Sequence, residues 1–422
     1  MQLVSIASLI ILVITIVIGF VKKINMGVLA LGFSFILGYL GKISASSIIK
    51  GFNSSLFLML VGVSILFGIA QHNGTLNLIV KKLIRLSGKR AWLIPILMYF
   101  VIYFIAFLGA GTITGFALAA LFGIPMAKEL DADPFLLTTM GQLGSIGGGI
   151  VPWAPTGIIG LELAKNANIT GNLANTMVLN TFLATAFGAI ISYIFLKGYK
   201  LKAKELNSEV LKFNKNHKIT LVGILCMVIG VAVFKMNIGL LSIFISIILI
   251  LLKVGTEKEA LGSVPWNTIL LISGMGILMS LIVKLGGIKL LADILSLFMN
   301  EKTVAGILAL SSGILSLFSS TSGVVMPTMI PTIPLIVETL GIAGVVPSAL
   351  LLSAVINGSS PSGMSPLSTG GAFVMATLSE NYELTSEEFS SKFKRLFYIT
   401  MLNMFMVAIF ILIGGFSFTK YM

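Results

Sequence analysis

Charge is what this chain has least of. Asp, Glu, Lys and Arg make up 10% of its 422 residues, where an average soluble domain carries about 25%. With 57% hydrophobic residues and a mean hydropathy of +1.06, it lacks the polar surface to cover a water-soluble globule. Disorder, collagen-like repeats and a soluble enzyme are excluded. Cysteine is nearly absent: Cys226, inside an apolar run, is the only one, so there is no disulfide framework and no Cys-based metal site. The two histidines, His72 and His217, form no cluster of metal-ligand spacing; His72 ends an apolar run as an interfacial residue, and His217 is expected to be solvated in a charged central loop. No Walker A loop is present, so the chain does not hydrolyse ATP. No nucleophile–base pair lies at one depth, which argues against an enzyme. Carboxylates are missing from the middle of every apolar run. Glu129 and Glu338 stand at segment ends, and Asp131, Asp133, Glu162 and Asp293 in loops or interfaces. Proton-driven carriers and cation/proton exchangers usually need an embedded carboxylate, so that class is disfavoured.

What remains is a polytopic membrane protein. The net charge of +13, from 28 Lys+Arg against 15 Asp+Glu, then reads as cytoplasmic loops and not as nucleic-acid binding. The first apolar run, Leu3–Phe20, lacks a basic leader and a small-residue cleavage site before Lys22 and reads as a retained span. A span needs about 20 mostly apolar residues. Candidate segments are 3–20, 26–41, 55–72, 91–108, 113–127, 134–164, 176–197, 219–235, 237–253, 266–285, 303–318, 322–340, 346–378 and 393–416. Trp92 and Trp266 fit interface anchors, and Trp153 is expected to border the site.

Internal repetition organises these segments. Lys23-Ile24-Asn25-Met26-Gly27 recurs 212 residues later as Lys235-Met236-Asn237-Ile238-Gly239, and Gly62 and Gly74 recur as Gly274 and Gly286. Thr112, Pro125 and Glu129 recur as Thr321, Pro334 and Glu338; Gly144, Ser145, Gly149, Pro152 and Gly157 recur as Gly358, Ser359, Gly363, Pro366 and Gly371. Each copy reads as two spans joined by a Lys-Asn turn, a third span, an amphipathic segment (Leu76–Leu86 in the first copy) suited to an interfacial helix, two apolar arms around a small-residue tip, an interrupted helix and a last span. The arms 91–108 and 113–127 fit either two full spans or one re-entrant hairpin. Hairpins leave five crossings per copy, so the second copy is inverted; full spans leave six and parallel copies. With hairpins, 20 of the 28 Lys and Arg fall on one side, which the positive-inside rule makes cytoplasmic. That charge balance favours hairpins only mildly, and the make-up of the repeats is the better argument. Both termini then lie outside. The reading is an all-α polytopic membrane protein: two inverted repeats of five transmembrane helices, each with a re-entrant hairpin, an interfacial helix and a broken helix. The first repeat covers 1–200, a cytoplasmic basic linker 201–218 and the second repeat 219–422.

Four irregular stretches are expected at membrane depth: 109–112, 144–149, 319–323 and 357–363. Unwound backbone in hydrocarbon must be buried in protein or line a cavity, and discontinuous helices in matching halves point to a transporter's binding site. Each break leaves a helix N-terminus carrying about +0.5 of an elementary charge, so four sum to about +2, enough to offset a small dianion without a buried Arg or Lys. Gly111, Thr112, Ser145, Ser320, Thr321, Ser359, Ser360 and Thr369 are the candidate substrate residues. Unwound carbonyls near Ala110, Gly111, Gly144, Ser319, Ser320 and Gly358 suit a hard cation such as Na⁺. The competing reading of these small residues is plain helix packing, which their recurrence in pairs makes less attractive.

Two inverted five-span repeats with these parts resemble the ion-transporter superfamily. Within it the chain resembles the divalent-anion/sodium symporters and, more closely in its N-terminal half, the malonate/dicarboxylate carriers. Leu66-Phe67-Gly68-Ile69-Ala70-Gln71 and Asn73-Gly74-Thr75 have the look of the carriers, and Ser145-Ile146-Gly147-Gly148 matches the Ser-Ile-Gly-Gly of the symporters' broken helix. Of the symporters' Ser-Asn-Thr tips only Thr112, Ser319 and Thr321 carry over; Gly111 and Ser320 replace the Asn. The Thr-Pro-Pro-Asn that follows is also missing, with Pro155-Thr156-Gly157 and Thr369-Gly370-Gly371 near its place. The resemblance implies an elevator-type secondary transporter of a small dicarboxylate in a bacterial inner membrane, with Na⁺ as the coupling ion, no cofactor and a homodimeric scaffold. The large membrane subunit of a tripartite binding-protein-dependent carrier is the alternative within the superfamily.

Overall fold

The computed structural model describes residues 2–84, 90–201 and 212–419. Most of the expected linker 201–218 and the end of the expected amphipathic segment, Arg85 and Leu86, lie outside them. Among the described residues every regular element is helical. The first half holds α1 (Gln2–Lys22), α2 (Met26–Leu40), the short α3 (Ala45–Ile49), α4 (Ser54–His72), α5 (Thr75–Ile84), α6 (Ile94–Ile105), α7 (Gly111–Glu129), α8 (Pro134–Gly148), α9 (Pro155–Asn166) and α10 (Leu173–Phe195). The second holds α11 (Lys215–Ala232), α12 (Ile238–Leu251), the short α13 (Glu257–Gly262), α14 (Trp266–Lys284), α15 (Gly287–Ser296), α16 (Val304–Leu317), α17 (Met326–Met329), α18 (Ile333–Thr339), α19 (Ser348–Ser359), α20 (Thr369–Asn381) and α21 (Ser386–Leu412). The chain is an all-α multi-pass membrane protein. Among the described residues seven helical stretches are long and apolar enough to cross a membrane; α2, α12 and α16 are shorter apolar helices.

The two halves repeat in local conformation as well as in element order. The polar turn between α1 and α2 puts Lys23 in the left-handed region at φ 55°, and Lys235 takes φ 54° before α12. The next residues cap identically in kind: Asn25 accepts from the Gly27 N–H and Asn237 from the Leu240 N–H, as short polar side chains do at helix starts. Gly74 and Gly286 turn the chain at φ 80° and 81° into α5 and α15, a conformation costly for any residue with a Cβ. The expected amphipathic helix is α5; Leu76, Ile79 and Val80 of its apolar stripe are buried while Lys81 and Lys82 are exposed.

Helices α2 and α14 lie side by side in the same direction. Asn25 donates to the Asn267 carbonyl at one end, and Gly41 meets Leu285 at the other. Helices α4 and α12 do the same, with Gly62 on Gly239 and Ile69 on Gly255. Since α4 starts where the short connection from α2 ends, it runs back against α2, whereas its counterpart α14 runs along α2. The contacts are reciprocal. A methyl on Gly274 would strike the Gly27 carbonyl, and one on Gly62 the Gly239 carbonyl. Absence of a Cβ lets the backbones touch, the packing that membrane helices use when lipid offers no hydrophobic drive.

His217 differs from its expectation. It is the third residue of α11, where its Nδ1 accepts from the Asn214 N–H and its Nε2 meets the Asn73 carbonyl at 3.0 Å. It ties α11 to the end of α4, because a ring with two nitrogens can serve both partners at once.

Gly62→Ala should destabilise the folded protein by about 2 kcal/mol, the scale of forcing a methyl into a packed contact. Gly32→Ala, with open space at its Cβ, should leave stability unchanged or slightly raised; thermal unfolding in detergent compares the two.

A candidate site at the broken helices

The arms α6 and α7 fold back on each other against α8. Gly141 of α8 faces Met98 and Ala119; Gly144 faces Tyr99 and Gly148 faces Tyr103, while Gly123 faces Thr138 and Gly115 faces Ser145. So α6 runs with α8 and α7 against it, and the tip between them meets the end of α8. The tip is glycine-driven: Gly109 and Gly111 sit at φ 117° and 78°. Trp153 holds it, donating through Nε1 to the Phe107 carbonyl at 2.6 Å and packing edge-on against the Phe107 ring. Trp153 therefore braces the tip and does not line the cavity. In the second half α16 runs with α19, and the returning arm 321–339 leaves a tip at Phe318–Ser320.

The unwinding is displaced from where the small residues suggest it. Gly144–Gly148 are helical and belong to α8, because Gly144 and Gly148 let the α6 backbone approach at Tyr99 and Tyr103. The break falls at Gly149–Ala154. Asn357–Ser359 likewise end α19, with Gly358 against the Ala309 backbone; a tight turn over Ser360–Met364 follows, and then a second turn closed by the Ser368 N–H on the Ser365 carbonyl. Gly144, Ser145, Gly358 and Ser359 thus pack hairpin arms onto broken helices, and none of the four lines the cavity.

That cavity has a volume of about 1020 Å³. Both tips reach it, through Ala110, Gly111 and Thr112 and through Ser319, Ser320 and Thr321. So do the second starts of both broken helices, Pro155-Thr156 and Ser368-Thr369, and also Ser360. Four helical N-termini therefore converge on one space. Those of α7, α9 and α20 have no side-chain cap, which leaves their first N–H groups to whatever fills the cavity. Hydroxyl bonds hold the tips. Ser145 Oγ donates to the Thr112 carbonyl at 2.8 Å, and Thr112 Oγ1 lies 2.9 Å from Thr156 Oγ1. Thr321 Oγ1 donates to the Ser359 carbonyl at 3.0 Å and pairs with Ser316 Oγ at 2.8 Å. Much of the remaining wall comes from α1, α2, α4 and α14, with apolar side chains of α7, α8, α9, α20 and α21, and the cavity extends to the α1–α2 turn, Gln71 and the start of α14.

Fold and cavity together define a multi-span helical membrane protein with a chamber bordered by interrupted helices, its wall mixing hydroxyl-bearing and apolar side chains. The N-terminal part, residues 1–149, matches the family described as dicarboxylate carrier protein MatC N-terminus. Comparison with curated proteins finds no match. Among solved structures the chain is similar in fold to the YdaH transporter of Alcanivorax borkumensis, at 14% identity and a TM-score of 0.55, over 90% of this chain and 89% of that one.

Gly111→Ala should cost more stability than Gly341→Ala. Both sit at positive φ, which costs about 1–2 kcal/mol for L-residues, but a methyl at Gly111 also strikes the Pro155 ring whereas Gly341 faces open space. Unfolding temperatures of the two purified variants make the comparison.

Proposed function

We propose that the protein is a secondary active transporter of a small dicarboxylate, with Na⁺ carried as the coupling ion. The observation that supports this best is the convergence of four helical N-termini on one cavity whose lining holds no Asp or Glu among the described residues. Together these ends amount to about +2 elementary charges, a match for two carboxylates that requires no buried cation. Thr112, Thr321, Ser320, Ser360 and Thr369 supply hydroxyls around that field, and Ser145 and Ser359 act behind the tips by fixing them. The carbonyls of Ala110, Gly111, Ser319 and Ser320 are the expected sodium partners.

We read the two halves as inverted repeats, because α4 and its counterpart α14 run in opposite directions relative to α2. Helices α1, α2, α4, α11, α12 and α14 pack chiefly on one another. The hairpins, the broken helices, α10 and α21 form the other body. Asn53 of α4 donates to Glu162 of α9 across the boundary. Such a partition suits an elevator, in which the second body carries the cavity past the first and the first pairs with a second copy. The chamber extends to the α1–α2 turn and the start of α14, where Lys22 and Lys23 are exposed and Lys23 joins the lining. By the positive-inside rule that end is cytoplasmic, both termini are outside, and the chamber is caught open inward.

Proteoliposomes should accumulate labelled malonate or succinate under an imposed sodium gradient and lose that accumulation when the gradient is removed. Uptake indifferent to sodium removes the coupling claim. Thr112→Val and Thr321→Val should each lower uptake at least tenfold while remaining monodisperse in detergent; undiminished uptake would reject the site.

A further inference from the structure

The chamber wall is neutral except at one place. Among the described residues that line it, Lys23 alone carries a charge. It stands at the mouth, in the turn joining α1 and α2, where its φ of 55° and the Asn25 cap hold the backbone in one conformation. Around it lie uncharged polar groups: Asn25, Gln71, Asn267 and Thr268. Two helices begin there, α2 at Met26 and α14 at Trp266, and their N-terminal dipole ends add to the field. Among the described residues no carboxylate lines the chamber to cancel it. Its counterpart Lys235 stands in the same Lys-x-Asn-x-Gly pattern with the same backbone conformation, yet does not line the chamber.

We propose that Lys23 makes the mouth an anion-selective vestibule, a capture site ahead of the hairpin tips that concentrates small carboxylates and repels cations. This rests on the reading of the chamber as an anion route, and it gives one residue a task that the neutral tips cannot perform. A dipole end acts within about one helical turn, whereas a full charge acts over about 10 Å at 0.1 M salt and governs encounter with a charged ligand.

The test reads local potential directly. In a Cys226→Ser background, Thr268→Cys places a single thiol in the vestibule wall. Its modification is timed in membrane vesicles with two methanethiosulfonates of similar size, one bearing a sulfonate and one a trimethylammonium. The ratio of anionic to cationic rate should fall at least threefold on Lys23→Asn, a replacement that tolerates positive φ. It should hold in Lys23→Arg and in Lys235→Asn, and the difference should shrink as salt is raised. A ratio unchanged by Lys23→Asn, or lowered equally by Lys235→Asn, would overturn the inference. Malonate uptake from the same face forms a separate arm: Lys23→Asn should raise KM several-fold at low ionic strength with the maximal rate within twofold, and an unmoved KM counts against the inference. If the parent protein takes up no dicarboxylate, the transport reading falls while the rate ratio still decides the role of Lys23.

Discussion

Backbone amides and carbonyls that leave a helix inside hydrocarbon must find partners, and the cost of leaving one unpaired is several kcal/mol. This constraint shapes the centre of the molecule. Gly109, Gly111, the 149–154 break and the 360–368 break are all unwound, and each is enclosed by other helices or faces the chamber. The hydroxyl bonds from Ser145 to the Thr112 carbonyl and from Thr321 to the Ser359 carbonyl stitch tip to broken helix in both halves. The chamber exists because the unwound segments of both halves share one enclosure.

Close backbone approach makes that enclosure possible. Gly27 against Gly274 and Gly62 against Gly239 join the two halves through α2, α14, α4 and α12. Gly141, Gly144 and Gly148 do the same for a hairpin on its broken helix. These glycines serve shape and not flexibility: all are in ordinary helical backbone, and what matters is the missing methyl.

Electrostatics separates the chamber into two zones. At the tips the field comes from peptide dipoles, fixed in place and unable to titrate. At the mouth it comes from one lysine beside water. On the proposed reading, an anion at the tips is stabilised by dipoles without a full counter-charge, and the charge at the entrance acts on it over a longer range.

The recurring Lys-Asn turns, the recurrence of Gly74 as Gly286, the amphipathic stretch that became α5 and the small-residue stretches around 109–112 and 319–323 were legible in the sequence. They were legible because local chemistry favours them: short polar side chains cap helix starts, Gly adopts positive φ at least cost, and an apolar run of about 20 residues spans a membrane. The sequence could not separate a glycine that unwinds a helix from one that admits a neighbour. Gly144 and Gly358 proved to be the second kind, and Trp153 proved to be a brace. His217 looked solvated because its partner, the Asn73 carbonyl, lies 144 residues away in the chain. Which of the two matched lysines faces the chamber was equally hidden, since Lys23 and Lys235 stand in the same Lys-x-Asn-x-Gly pattern. Only the tertiary arrangement decides such matters, because they depend on which surfaces two distant segments present to each other, and no local propensity encodes that.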